Sequence, residues 1–192
     1  MSPANTRPSG ASSGAGARLL TGARYRVEWH TLNRHLLLLW RDLGLDRSGR
    51  FFRGTIFWSM LGVGLAAVIL AAAFAPWVFA GTSRPTLGVV LSVVIIQPVI
   101  EELLFRGLLQ GELRRISRRA EARFLSLPNV LSSIAFAALH FIFHPPLWAL
   151  AVLIPSLQFG YLRDRYDSLW PALLLHIAYN GMFFLAATAA AS

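Results

Sequence analysis

The sequence predicts an all-α, polytopic membrane protein, a bundle of about five transmembrane helices with an N-terminal interfacial helix. Three observations carry this expectation. Of the 192 residues, 55% are hydrophobic and only 14% charged, where a soluble domain carries about 25% charged residues. The apolar residues are gathered in runs close to the roughly 20 residues a helix needs to cross a bilayer. The basic residues, 18 arginines with no lysine, fall between those runs and not along one polar face, so they read as topology signals and not as a phosphate-binding stripe. The expected environment is the lipid bilayer, with no nucleic-acid partner. The absence of cysteine closes thiolate catalysis, disulfides and cysteine-ligated metals.

Along the chain, residues 1–22 are rich in Ser, Gly, Ala and Pro and have too little apolar surface to offset ordering entropy, which predicts a disordered cytoplasmic tail. Over 23–53, Trp29, Leu32, Leu36, Trp40 and Leu43 recur at helical spacing among arginines, the pattern of an amphipathic interfacial segment. The first run able to span begins beyond residue 50, too far in for a cleavable signal peptide. A transmembrane domain is expected over 55–190, with helices at Thr55 to Ala80, Leu87 to Leu113, Pro128 to Phe143, Leu147 to Leu162 and Leu169 to Ala190. The fourth is short and contains Pro155 and Gln158. Nine arginines precede the first span, five lie between Arg114 and Arg123, and Arg163 and Arg165 follow the fourth. With the N-terminus in the cytoplasm, all of these fall inside.

Three helices hold nearly all the polar groups at membrane depth: Glu101-Glu102-x-x-x-Arg106, Phe136-x-x-x-His140 and His176-x-x-x-Asn180. An ionisable group inside a span costs roughly 2.5 to 3.5 kcal/mol, so a cluster of them points to function. At about 1.5 Å per residue, Glu101 and His140 lie on the order of 18 Å from the arginine-rich ends and His176 to Asn180 at roughly 12 to 18 Å, levels that permit one shared site. Glu102 and Arg106 stand four apart on one helical face, the spacing of an ion pair. Glu101 is turned about 100° away from Glu102, which leaves it free for chemistry. Phe136 is expected to pack the cavity wall. His144, at an outer turn before Pro145, and His30 and His35 read as structural.

The three segments resemble, in order and internal spacing, the signature motifs of the CAAX-protease and bacteriocin-processing family of glutamic intramembrane proteases. The stretch from Gly160 through Asp167-Ser168-Leu169-Trp170-Pro171 to His176 also resembles the usual approach to the third motif. The likeness covers about residues 86–187. It implies a catalytic set of Glu101, Glu102, Arg106, His140, His176 and Asn180. In that set Glu101 is general base on a water held by His140, His176 and Asn180 face the oxyanion, and Glu102 and Arg106 stand behind them. It implies no metal and no cofactor, a peptide or membrane-anchored protein as substrate, a cavity opening toward the cytoplasm, and a place in the inner membrane of a bacterial cell. Glutamate and two histidines are also a zinc ligand set, although no His-Glu-x-x-His occurs. A non-catalytic membrane partner, such as an immunity protein or transport subunit, and a proton-coupled carrier complete the alternatives.

Overall fold

The computed structural model describes residues 37, 40–45, 49–79, 86–117 and 125–190. The expected tail 1–22 and most of the expected interfacial segment lie outside the described residues. Every element below belongs to the unit 40–192, and no strand occurs among the described residues.

A 3-10 turn over Arg50–Arg53 leads into α1, Thr55–Phe74. This helix ends at Phe74, two residues before Pro76, with Ala75 held out of helical geometry at φ −139° and ψ 52°, because a proline ring clashes with a helical residue before it. The α-helical part of the expected first span is therefore shorter than the apolar run. The second span, α2, is helical over Leu87–Ile116, with Thr86 capping its start by accepting from the Val89 N–H. Two π-turns, Ser92–Ile96 and Leu103–Leu109, bracket an α-helical stretch at Gln97–Glu102. Pro98 accounts for the first. With no N–H it cannot serve the carbonyl four residues back, and the helix widens there.

The third helix, α3, is Leu127–Phe143, capped by Ser126 and carrying Pro128 in its first turn. The expected fourth span is two helices, α4 at Pro146–Ala151 and α5 at Leu153–Tyr166, joined at Val152. Pro155 is the physical reason, because it leaves the Ala151 carbonyl without its helical donor. The last helix, α6, is Trp170–Ala190. Among the described residues, Thr55–Phe74, Leu87–Ile116 and Trp170–Ala189 are long and apolar enough to cross a membrane, and Leu127–Phe143 is shorter. Only 6% of the apolar window of α1 is buried inside the protein, and Val63, Ile69, Leu70 and Phe74 point outward. Such a face is a liability in water and the natural solvent contact in lipid. The structure is thus an all-helical bundle of the membrane type.

Helix α6 packs against α1 and α5, and α5 against α3. Phe51, Phe57, Phe159, Leu162, Ala172 and Leu175 form the buried cluster between them. At Gly64 of α1 the Tyr179 ring occupies the space a Cβ would need. The close approach lets Tyr179 donate to the Met60 carbonyl at 2.6 Å, tying α6 to α1.

The arginine-rich ends of the helices are closed by polar side chains that satisfy one another. Gln110 Nε2 donates to the Gly160 carbonyl and to Asp164 Oδ1, both at 2.9 Å. Ser126 donates to Asp164 Oδ2, and Asn129 Nδ2 to the Leu157 carbonyl at 3.0 Å. Arg114 pairs with Asp164 at 3.3 Å and with Asp167 at 3.0 Å. Residues 40–45 attach at this end. The Gly44 carbonyl accepts from the Leu169 N–H at 2.9 Å and the Leu45 carbonyl from Trp170 Nε1 at 3.1 Å.

Candidate active site

The two adjacent glutamates part company at the α-helical stretch between the π-turns of α2. Glu102 points inward and is fully buried. Its Oε1 lies 3.2 Å from Arg106 Nη1, the ion pair expected from the four-residue spacing, and accepts from His176 Nδ1 at 2.9 Å. Glu101 faces a cavity of about 450 Å³ with its side chain 25% exposed, and its Oε2 lies 3.6 Å from His176 Nε2. The imidazole therefore sits between the two carboxylates.

Arg106 is the anchor of this arrangement. Its Nη2 donates to the Ser156 carbonyl at 3.0 Å and to Ser156 Oγ at 2.7 Å. The guanidinium lies 4.6 Å from the ring centre of Phe136 and 5.4 Å from that of Phe159, within the range of cation–π attraction. Phe159 in turn stacks on His176, with ring centres 4.6 Å apart and planes 18° from parallel. Helices α2, α3, α5 and α6 thus meet around one buried cation. Burial costs a charge dearly unless it is paired and hydrogen-bonded, and Arg106 has an ion pair, two hydrogen bonds and two aromatic faces.

His140 donates from Nδ1 to the Phe136 carbonyl at 2.9 Å. A carbonyl can only accept, so the proton is on Nδ1 and neutral His140 carries its lone pair on Nε2. The same logic puts a proton on His176 Nδ1, since the Glu102 carboxylate is its acceptor, and leaves Nε2 facing Glu101. Asn180 donates from Nδ2 to the Val93 carbonyl at 2.9 Å. Glu101, His140, His176 and Asn180 all line the cavity, with Phe136 in its wall, whereas Glu102 and Arg106 stand behind it. Acceptors on Glu101 and His140, the Asn180 amide and the His176 ring so share one space, a set able to orient a water and to receive a developing negative charge. Among the described residues, no three His, Cys, Asp or Glu side chains converge as around one metal ion.

Two features differ from the sequence reading. The cavity runs from Glu101 toward His144, Trp148 and Phe183, away from the arginine-rich ends, so the expected cytoplasmic opening is not found under the expected orientation. The physical reason is the plug of Arg106, Gln110, Asn129 and Asp164 that fills the arginine-rich side of the site. His144, read as structural, lines the cavity and stacks on His140 with ring centres 5.5 Å apart and planes at 21°.

Sequence reasoning missed Ser156 and Phe159. A small hydroxyl and an aromatic on either side of Gln158 in the first half of α5 were the available signal, and nothing local says they serve an arginine some 50 residues away. Also missed was Gln97, an exposed amide one turn before Glu101 on the cavity wall.

Searches of curated proteins and of solved structures each returned no match. A family model described as type II CAAX prenyl endopeptidase Rce1-like matches residues 82–182, more than half the chain and the whole of the polar cluster. With three motifs, one cavity and the family match in agreement, the chain belongs to the Rce1-like family of type II CAAX prenyl endopeptidases, a family of membrane proteases.

Proposed function

We propose that this protein is a glutamate-dependent intramembrane endopeptidase that hydrolyses a peptide or a membrane-anchored protein. The observation that carries the reading is the division of labour within the glutamate pair, Glu102 consumed by Arg106 and His176 and Glu101 left to the cavity. Glu101 takes a proton from a water that also hydrogen-bonds to His140 Nε2, and that water attacks the scissile carbonyl. Asn180 Nδ2 and protonated His176 Nε2 stabilise the oxyanion. The proton held by Glu101 then passes to the leaving amine. Glu102 and Arg106 hold the His176 ring in place and touch no substrate.

The test is cleavage by the purified protein of two quenched fluorescent peptides, one ending in a prenylated CAAX sequence and one an unprenylated apolar segment. Cleavage of either, unchanged by chelators, is the expected result. Loss of activity with a chelator and its return on adding zinc would replace this mechanism with a metal-dependent one. No cleavage of either peptide would favour a non-catalytic membrane partner. The reading favours removal of a leader or C-terminal sorting segment in the inner membrane of a bacterial cell.

The proposed orientation, with the N-terminus and the arginines from Arg114 to Arg123 in the cytoplasm, rests on the arginine distribution, and it directs the cavity toward the outer half of the membrane. Because the chain has no cysteine, Thr82→Cys and Arg118→Cys can each be labelled with an impermeant maleimide on intact cells. Labelling is expected at position 82 only, and equal labelling at position 118 refutes the orientation.

A further inference from the structure

We propose that Pro98 is a positioning residue that sets the orientation of Asn180 by removing a backbone donor from the helix opposite. The argument starts from the carbonyl of Val93. In the first π-turn of α2 the Gln97 N–H, which in an α-helix would bond to Val93, goes to the Ser92 carbonyl instead. The next donor in π spacing belongs to residue 98, and a proline has no N–H. The Val93 carbonyl is left without a helical partner at membrane depth, where an unmet backbone acceptor is costly. Asn180 Nδ2 from α6 fills it at 2.9 Å.

This bond decides which end of the Asn180 amide faces α2. The Val93 carbonyl only accepts, so the nitrogen and not the oxygen must meet it. One amide hydrogen is spent there, and the second remains for the cavity that Asn180 lines. Had α2 stayed regular, the carbonyl would have been taken by its own backbone and the amide would be free to turn its oxygen toward a developing oxyanion. The second π-turn repeats the device with a different partner, since Arg163 Nε on α5 donates to the Arg106 carbonyl at 3.3 Å. Helix irregularities of this kind, close to a site, present backbone carbonyls to side chains of neighbouring helices.

The inference rests on the oxyanion role given above to Asn180, and its test separates the two. In Pro98→Ala the restored N–H lets α2 close its own ladder. The expected result is a protein that unfolds at a higher temperature, since a proline has left a helix interior, yet has kcat lowered by about 10²-fold with KM nearly unchanged, the scale of a misplaced catalytic group. In an Asn180→Ala background the same change should cost no further activity. A readout independent of turnover is the side-chain amide signal of Asn180 in [¹⁵N]Asn-labelled protein, which has four asparagines and is assigned by its loss in Asn180→Ala. That signal is expected to move in Pro98→Ala and to hold in Ile100→Val. An unmoved Asn180 signal or failure of Pro98→Ala to fold would overturn the proposal, and, where Asn180→Ala lowers kcat, so would unchanged kcat in Pro98→Ala or losses that add in the double variant. If the Asn180 signal moves while Asn180→Ala keeps full activity, the positioning stands and the oxyanion role falls.

Discussion

Glu101→Gln is expected to abolish peptide cleavage while leaving substrate binding and abundance in the membrane intact. The substitution keeps the size and most of the hydrogen-bonding reach of the side chain but cannot take a proton, and loss of a general base costs about 10² to 10⁴ in rate. Glu101 is the partly exposed member of the pair, facing the cavity and making no ion pair with Arg106, so the substitution leaves the buried Glu102–Arg106 pair in place. His140→Ala should behave alike, because both side chains hold the same water. Asn180→Ala should be milder at about 10² to 10³, the range for one oxyanion donor. Turnover of the two fluorescent peptides and their binding by fluorescence anisotropy make the comparison. Full activity of Glu101→Gln in a clean preparation would sink the mechanism.

Arg106→Ala is expected to damage the fold first and activity as a consequence. It leaves Glu102 fully buried and without its guanidinium partner, a change that costs about 3 to 5 kcal/mol when one partner of a buried pair is removed. It also strips the cation from between Phe136 and Phe159 and the donors from Ser156. Arg106→Lys should recover only part of the loss, since an ammonium cannot lie flat between two rings and reach both Ser156 acceptors. The double variant Glu102→Gln/Arg106→Met should regain abundance and thermal stability, because an apolar replacement of both charges removes the uncompensated one. It should remain inactive, because His176 then loses its carboxylate partner. Thermal unfolding of the detergent-solubilised protein reads these differences. If Arg106→Ala accumulates and unfolds like the wild type, the anchoring role assigned to the guanidinium is wrong.

Much of the candidate site is legible locally. Four-residue spacings place Glu102 under Arg106 and Phe136 under His140 on any helix, and apolar runs locate α1, α2, α3 and α6 whatever their packing. Proline positions carried more information than the sequence reading drew from them. Pro76 ends α1 early, Pro155 divides the fourth span, and Pro98 opens a π-turn. Each follows from a missing N–H or a ring clash that a residue-by-residue reading can anticipate. Which carbonyl is orphaned depends on whether the helix keeps α spacing or widens, as it does before Pro98, and which side chain fills it depends on the neighbouring helix.

From its sequence alone this protein is determined to be a helical membrane bundle with a glutamate, two histidines and an asparagine at similar depth, since run length and i, i+4 periodicity are properties of single helices. Only the tertiary structure decided that Glu102 rather than Glu101 holds His176 Nδ1, that Ser156 and Phe159 close around Arg106, and that the cavity runs away from the arginine-rich ends. Those contacts join residues 50 to 74 positions apart. They depend on the rotation and approach of whole helices, which the close fits at Gly64 and Gly160 set, and no spacing within one helix encodes the rotation of its neighbour.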